Sequence, residues 1–522
     1  MQWLERGGSG VLLSTHCLTA AESVPLGYHK WEQLSPAESS RFFNDRCVLN
    51  SNTFSLVLHQ ALLSLGVVAA FGPVVWGQPP STRALPAFPG AEGFGAESRG
   101  GRGGEVIEVT NLNDRGPGSF RAACEAANPR TVVFRTGGTI TLKSTVQIRE
   151  PYITIAGQTA PGGGILLKAD PRFDGPVLNV GTHDATVRGL RIRRGPTAEK
   201  GCCGDGLSIT SASTPPHDVI VDHCSISWST DENVESWYAA NDITIQWCII
   251  SEALDDSSHE KGPHSKGTII GAEVRRVSYH HNLLAHNVAR NPLISNNDGP
   301  NHVVNNLVYN WKYFGAEFSH VGEHPPRVNL IGNTYQPGPD TRQVRYEVSL
   351  KDYPMEPTFY ARDNRGHHRQ EDDEREWSLV GDGSSGLGAD WMRVPANSQI
   401  QRAEPWPDSP IPITVQPSEQ ASQLVLAAAG AILPRRDTVD ERIILDVRNR
   451  TGKCIDDPSE VGGWPLIDEG RPAADIDHDG MPDAWEVEHG LNSSDAADRN
   501  GLDLSSTAGY TNLEMYLNGL WE

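Results

Sequence analysis

One short pattern recurs along the chain as VIVDHCSIS at residues 219–227, ITIQWCIIS at 243–251 and VSYHHNLLA at 277–285. Each copy alternates apolar and polar residues, passes a polar or small residue at a turn, and returns to apolar residues. This alternation is typical of short, half-buried β-strands. Further copies are ITIAGQ from Ile153, ATVRGLRIR from Ala185, NHVVNNLVYN from Asn301 and VNLIGNTY from Val328.

The spacing of these copies indicates the architecture. Successive copies lie 24 to 34 residues apart, and no helical pattern separates them. Strands with such a period are typical of a solenoid in which each turn of chain stacks on the previous one. A leucine-rich repeat has a similar period, but its leucine signature is absent. We therefore predict an all-β fold, a parallel β-helix.

The same alignment predicts ladders of identical side chains inside the solenoid. Coils stack about 4.8 Å apart, so residues at equivalent positions become neighbours. Asn282, Asn306 and Asn333 share one register, and Cys224 and Cys248 fall in the same register. We expect the asparagines to bond the turn backbone and one another, and the cysteines to be either packed thiols or a disulfide.

The charge balance excludes one class of partner and points to a separate C-terminal module. The chain has 44 Lys+Arg against 66 Asp+Glu and a net charge of −22, which argues against nucleic-acid binding because that relies on basic residues.

Residues 465–522 contain thirteen acidic residues against two arginines, and DIDHDGMPDAWE at 475–486 matches an EF-hand-type calcium loop. We predict an EF-hand-like, thrombospondin type 3-like calcium module over 465–522 with a structural role. Its predicted Ca²⁺ ligands are Asp475, Asp477, Asp479, Asp483 and Glu486.

The start of the chain is predicted to lie outside the folded domain. Residues 1–50 show no sustained periodicity, and we interpret them as a mis-assigned start or a disordered leader. Residues 51–77 resemble a signal peptide, which predicts a secreted or periplasmic protein. The apolar stretch contains His59 and Pro73, so we expect no stable membrane span. The alternative is a buried helix of a small N-terminal domain.

Five segments in order resemble the pectate lyases of polysaccharide lyase family 1. They are residues 87–123, 154–165, 219–234, 243–271 and 277–294. The resemblance covers about 86–335 and implies a right-handed parallel β-helix, for which we expect a catalytic domain over 86–460. It also implies calcium-dependent β-elimination of de-esterified pectate (polygalacturonate), giving 4,5-unsaturated oligogalacturonides. We expect a monomer.

The resemblance assigns calcium ligands. β-Elimination removes a proton from C5, beside the C6 carboxylate, and a cation on that carboxylate stabilises the charge that develops. Calcium requires oxygen ligands. Asp231 and Glu235 have the four-residue spacing of the family's carboxylate pair, and Asp205 is a candidate for a further contact. The alternative is a solvated acidic turn.

The resemblance also assigns the basic residues. Arg290 in VARNPL matches the family's Arg-x-Pro motif, which implies proton abstraction. Because the pKa of arginine exceeds about 12, the residue itself is easier to explain as a partner of the substrate's charge. The family's lysine matches either Lys261 or Lys266, since an insertion at 254–263 blurs the register. Ser295 occupies the position of a second family arginine, which puts subsite contacts in doubt.

Other functions are compatible with parts of the sequence. Asp255 and Asp256 could form the carboxylate pair of a polygalacturonase-type hydrolase, although that family's Gly-His-Gly and Arg-Ile-Lys elements are missing. A pectin lyase would lack the pair Asp231 and Glu235. A non-catalytic β-helix that binds acidic polysaccharide, such as an adhesin or a degenerate lyase, is the alternative that Ser295 supports.

Overall fold

The computed structural model describes residues 85–522, except 272, 296, 298, 321–324, 343–345, 352–355, 383–399 and 506–508. These residues belong to one unit, Thr82–Glu522. The predictions for residues 1–50 and 51–77 lie outside the described residues.

The strands of the described residues form three sheets, in which the paired strands run parallel. Sheet I has ten strands: Glu105–Val109, Arg130–Phe134, Ile153–Ala156, Ala185–Arg188, His217–Asp222, Asn241–Gln246, Arg275–His280, Pro300–Val304, Arg327–Ile331 and Phe359–Arg362. Sheet II has nine: Val146–Ile148, Leu178–Val180, Leu207–Ile209, Glu232–Ser236, Lys266–Ile270, Leu293–Ser295, Ala316–Ser319, Val348–Lys351 and Val380–Asp382. Sheet III has eight: Gly138–Leu142, Ile165–Ala169, Arg191–Arg193, Ser225–Ser227, Ile249–Ser251, Leu283–Ala285, Leu307–Tyr309 and Thr334–Gln336.

One coil shows how the repeat builds this fold. The chain passes from His217–Asp222 in sheet I to Ser225–Ser227 in sheet III and Glu232–Ser236 in sheet II. It then returns to sheet I at Asn241–Gln246, where Val219 pairs with Ile243. The apolar residue at every second position of each strand points into one continuous buried core. The predicted all-β parallel β-helix is confirmed.

The predicted asparagine ladder runs through this core. Asn282 donates from Nδ2 to Asn306 Oδ1 at 3.0 Å, and Asn306 donates to Asn333 Oδ1 at 3.0 Å. Asn333 donates in turn to Asn364 at 2.9 Å, which extends the ladder by one coil. Cys224 and Cys248 are buried free thiols, so the disulfide alternative is wrong.

The ladder should contribute measurably to stability. Asn306→Ala leaves the buried Asn282 N–H and Tyr279 carbonyl without the partner that Asn306 supplies. We expect the free energy of unfolding to fall by about 2–4 kcal/mol, because each unsatisfied buried polar group costs about 1–3 kcal/mol. Denaturant unfolding followed by tryptophan fluorescence measures the change. Asn113→Ala, at an exposed site, is the control, and an equal effect of both substitutions would contradict the role of the ladder.

Helices cover parts of the outer surface. Ser418–Ala428 and Thr438–Asn449 pack on sheet III. Arg193, which is buried, binds the second helix through Asp437 at 2.7 Å and Asp440 at 3.0 Å. The other α-helices of the described chain are Phe120–Cys124, Asp483–His489 and Asn512–Gly519, and its 3₁₀ turns are Phe94–Glu97, Gly157–Thr159, Glu376–Leu379, Pro458–Val461 and Asp498–Asn500. None of the described helices combines the length and apolar character that crossing a membrane requires.

Candidate functional site

Sheet II brings most of the candidate residues together at the edge where its strands begin. Asp205 precedes the strand Leu207–Ile209, Asp231 precedes Glu232–Ser236, and Arg290 precedes Leu293–Ser295. The registers pair Ser208 with Glu235, and Glu232 with Lys266. Because the strands are parallel, the residues that enter them lie side by side.

Four carboxylates form the centre of this site. Oxygen atoms of Asp205, Asp231 and Glu232 lie within 4.8 Å of one another. Asp205 Oδ1 accepts a hydrogen bond from Glu232 N at 2.9 Å, and Glu235, which pairs in register with Ser208, lies close enough for its charge to raise the pKa of Asp205. The structure thus places together the three carboxylates that the sequence suggested as calcium ligands.

The electrostatics of the cluster fit a bound cation. Burial, and then repulsion from Glu235 and Asp231, raise the pKa of Asp205 well above its usual range. Burial and the neighbouring Asp231 do the same to the pKa of Glu232. A cation shared by these oxygens would relieve both the repulsion and the cost of burying charge, and oxygen donors of this kind suit Ca²⁺.

Two histidines lie beside Asp231. His264 Nε2 lies 3.1 Å from Asp231 Oδ1, and His259 Nε2 lies 3.8 Å from the same atom. Burial raises the pKa of Asp231, but its contacts with His259 and His264 outweigh burial and bring that pKa below the usual value. Asp231 is therefore the member of the cluster that stays ionised most readily.

Arg290 is paired with acidic groups. Its guanidinium contacts the Glu232 carboxylate, and its backbone N–H donates to Glu317 Oε2 at 2.8 Å. Burial lowers the pKa of Arg290, but Glu232 and Glu317 outweigh it and raise that pKa above the usual value. In this state Arg290 is a cation, which agrees with the interpretation of this residue as a charge partner.

The two lysine candidates lie in different surroundings. Lys266 begins a strand of sheet II beside Glu232, and its backbone N–H donates to Asp231 O at 2.9 Å. Burial and the nearby charge of Arg290 lower the pKa of Lys266. Lys261 lies in the loop before this strand, and its side chain is exposed. The structure therefore places Lys266, rather than Lys261, beside Arg290.

Substitution separates the two lysines. Lys266→Met is expected to lower kcat/KM on polygalacturonate, the substrate that the resemblance implies, by about tenfold to a hundredfold, since a hydrogen bond to a charged group contributes about 1.5–3 kcal/mol. Lys261→Met is the matched control and should stay near the wild-type value. Initial rates at several substrate concentrations measure both effects. The reverse pattern would show that Lys261 is the site lysine.

Sequence reasoning missed three residues of this site, Glu232, His259 and Glu317, and it named His264 only as one of several nearby histidines that could contact substrate. The two histidines belong to or adjoin the insertion at 254–263, which folds back so that Gly201 bridges to His259. Glu232 could have been suspected because it stands next to Asp231. Glu317 gives no sequence signal, since its contact depends on the stacking of two coils.

The structure also shows the surroundings of the residues that suggested a hydrolase or a non-catalytic binder. Asp255 forms an ion pair with Lys312 at 2.6 Å, so its carboxylate is already engaged. Asp256 is exposed. Ser295 ends a sheet II strand and pairs with Ser319.

A second acidic cluster lies in the C-terminal segment. Carboxylate oxygens of Asp475, Asp477 and Asp479 lie within 4.8 Å of one another, and those of Asp479, Glu486 and Asp498 do so as well. Burial, with repulsion from neighbouring carboxylates, raises the pKa of Asp479 to about 7 and that of Glu486 to about 8. This cluster also fits a cation with oxygen ligands.

One predicted ligand lies outside this cluster and one member was missed. Asp483 belongs to neither group of carboxylates found in the described chain. Its Oδ1 instead accepts the backbone N–H of Ile476 at 2.8 Å, at the start of the helix Asp483–His489. Asp498 takes a place in the cluster from outside the loop motif.

Comparison with known proteins finds close relatives across most of the chain. A protein of Aspergillus flavus named "Probable pectate lyase C" is 34% identical over 443 residues, covering 84% of this chain and 95% of the relative. A protein of the same name from Aspergillus terreus is 35% identical over 444 residues, covering 84% of this chain and 95% of the relative. No family model matches the chain.

Solved structures resemble the chain more distantly. The crystal structure of jun a 1, the major allergen from cedar pollen, is 18% identical with a TM-score of 0.45, covering 65% of this chain and 92% of that one. A pectate lyase from Bacillus sp. N165, solved in complex with trigalacturonate, is 17% identical with a TM-score of 0.41, covering 65% of this chain and 98% of that one.

Proposed function

Because the chain belongs to the pectate lyase family, we propose that it cleaves de-esterified polygalacturonate by calcium-dependent β-elimination. The products would be 4,5-unsaturated oligogalacturonides. The observation that carries this proposal is the group of buried carboxylates at the start of the sheet II strands, with Arg290 and Lys266 beside it.

Asp205, Asp231 and Glu235 would hold the calcium ion. Their oxygens are hard ligands, and their mutual repulsion is the cost that a divalent cation removes. When bound, Ca²⁺ supplies positive charge to the C6 carboxylate of the substrate, and so stabilises the negative charge that develops next to C5.

The basic side chains act on the same sugar. Lys266 would contact the C6 carboxylate, and Arg290 would lie at C5, where it accepts the proton. The electron pair released from C5 then forms the C4–C5 double bond, and the glycosidic bond at C4 breaks with its electron pair going to the leaving oxygen, which takes up a proton from water. Its contact with Glu232 keeps Arg290 charged at rest, so Arg290 can accept the C5 proton only if one of its own protons passes to the Glu232 carboxylate. Glu232 therefore orients the guanidinium and takes up that proton in this proposal.

An absorbance assay tests the proposal. The full chain is incubated with polygalacturonate, and the ultraviolet absorbance of the new double bond is followed. We expect absorbance to rise with Ca²⁺ and to stop when EDTA removes the metal, because the carboxylate cluster then has no cation to offer the substrate. An equal rate in EDTA would contradict the calcium role. Polysaccharide binding without any absorbance change would favour the non-catalytic binder.

The finer parts of the proposal concern the rest of the chain. We propose that residues 465–522 bind structural Ca²⁺, supported by the second acidic cluster. Secretion or periplasmic export, supported by the signal-like stretch at 51–77, and a monomeric state complete the proposal. Sequencing the N-terminus of the exported protein tests export, and light scattering tests the monomer.

A further inference from the structure

Six buried carboxylate oxygens in the two C-terminal carboxylate groups, which share Asp479, have no hydrogen-bond partner among the described residues. They are Oδ1 and Oδ2 of Asp477, Oδ2 of Asp479, Oε1 and Oε2 of Glu486, and Oδ1 of Asp498. Asp479 and Glu486 are themselves fully buried. Buried charge without a partner is strongly unfavourable, and six oxygens are enough to surround one Ca²⁺ ion.

The opposite oxygens of the aspartates are held by the backbone. Asp479 Oδ1 accepts from Met481 N at 2.8 Å, and Asp498 Oδ2 accepts from Asn492 N at 2.9 Å. Asp475 accepts from Asp479 N and Gly480 N, each at 3.2 Å. The loop thus uses one set of oxygens to fix its own shape and leaves the other set facing inward.

We infer that one Ca²⁺ ion joins the loop 475–486 to Asp498, and that this ion fastens the C-terminal segment onto the first coils of the β-helix. The inference rests on the proposed calcium role of residues 465–522 and extends it in two ways. It adds Asp498 as a ligand from outside the loop and excludes Asp483. It also gives the ion a mechanical role.

Contacts on both sides of the cluster connect it to the β-helix. Arg135 lies 3.3 Å from Asp475 Oδ2 and 3.2 Å from Glu108 Oε1, and His478 Nδ1 lies 3.0 Å from Glu108 Oε2. Met481, directly after the loop glycine, packs with Ala156 of sheet I. The loop is therefore anchored to the first strands of sheet I.

Asp498 carries the connection to the last helix. Asn512 Nδ2 donates to Asp498 O at 2.9 Å, so the start of the helix Asn512–Gly519 is bonded to the ligand itself. Farther along this helix, Glu514 binds Arg102 at 2.7 Å, and Leu513 packs with Met481. If Asp498 loses the ion, the helix loses the support that holds it on the β-helix.

The test uses the full chain in an Asp231→Asn background, so that binding at the active-site cluster is reduced and the C-terminal site is observed by itself. Calorimetric titration with Ca²⁺ measures its affinity. Adding Asp498→Asn should weaken binding by about tenfold or more, since even partners outside the coordination sphere change metal affinity by about 10–100-fold. Adding Asp495→Asn, at an exposed carboxylate of the same segment, is the matched control and should leave the affinity unchanged.

Hydrogen exchange measured by mass spectrometry tests the fastening. In the Asp231→Asn background, Ca²⁺ should slow hydrogen exchange in the helix Asn512–Gly519, and it should do the same when Asp495→Asn is added. When Asp498→Asn is added, Ca²⁺ should no longer slow exchange in this helix. Slow exchange in the coils that contain the asparagine ladder shows, in the same samples, that the β-helix is folded. If the Asp498→Asn variant does not fold, Glu486→Gln takes its place. Unchanged affinity in Asp498→Asn, or exchange in Asn512–Gly519 that Ca²⁺ does not alter, would overturn the inference. Because turnover is not measured, failure here is distinct from failure of the lyase proposal.

Discussion

Replacing Arg290 with lysine is expected to lower kcat on polygalacturonate by about 10²–10⁴-fold, the contribution of a positioned proton-transfer group. Lysine keeps the positive charge but lacks the planar set of donors that lets arginine contact Glu232 and substrate together. The loss should therefore appear in kcat at saturating substrate. Initial rates of double-bond formation measure it.

Arg276→Lys is the matched control for this substitution. Arg276 also pairs with an aspartate, Asp242, but on the exposed side of sheet I and away from the acidic cluster. Its rate should stay near that of the wild type. A wild-type kcat in Arg290→Lys would show that charge alone is sufficient and would remove the proton-transfer role of Arg290.

The second large effect is expected for Asp231→Asn. Asp231 is the carboxylate of the cluster whose pKa lies below its usual value, in spite of burial, because of His259 and His264. It is therefore the charge most available to a cation near neutral pH. Without it we expect kcat/KM to fall by about 10²–10³-fold at a fixed Ca²⁺ concentration, comparable with the loss of one group that stabilises developing charge.

A calcium titration distinguishes weaker metal binding from other damage. The rate of Asp231→Asn should rise at Ca²⁺ concentrations where the wild type is already saturated. Asp256→Asn, at an exposed carboxylate of the neighbouring loop, should follow the wild-type curve. Identical calcium curves for Asp231→Asn and the wild type would place the metal elsewhere.

The repeat made the fold predictable because each coil obeys the same local rule. Alternating residues such as Val219 and Val221 face the core, and their equivalents Ile243 and Ile245 stack on them. The asparagine ladder followed from the same alignment, since a constant register brings identical side chains together. These features depend on spacing, which the sequence shows directly.

The contacts inside the site depend on information that spacing does not contain. Glu232 and Arg290 are 58 residues apart, and the coils between them include the insertion. The same insertion left Lys261 and Lys266 equivalent until the start of the strand Lys266–Ile270 was known. His259, within this insertion, and His264, directly after it, reach Asp231 through the path of this loop, which spacing does not predict.

The C-terminal segment shows the limit of a motif. The loop 475–486 was recognisable because its ligand spacing is local, and the structure does group Asp475, Asp477, Asp479 and Glu486. Asp498 joins them through a turn that has no such pattern. Asp483 fits the motif but instead accepts a backbone hydrogen bond at the start of its helix.

The most direct test of the central claim is the mass of the products formed from polygalacturonate in water enriched in ¹⁸O. β-Elimination breaks the bond without adding water, so we expect oligogalacturonides that are lighter by one water than hydrolysis products and carry no ¹⁸O at the cleaved bond. These products should be absent in EDTA. Saturated products that contain ¹⁸O would contradict elimination and identify the enzyme as a hydrolase.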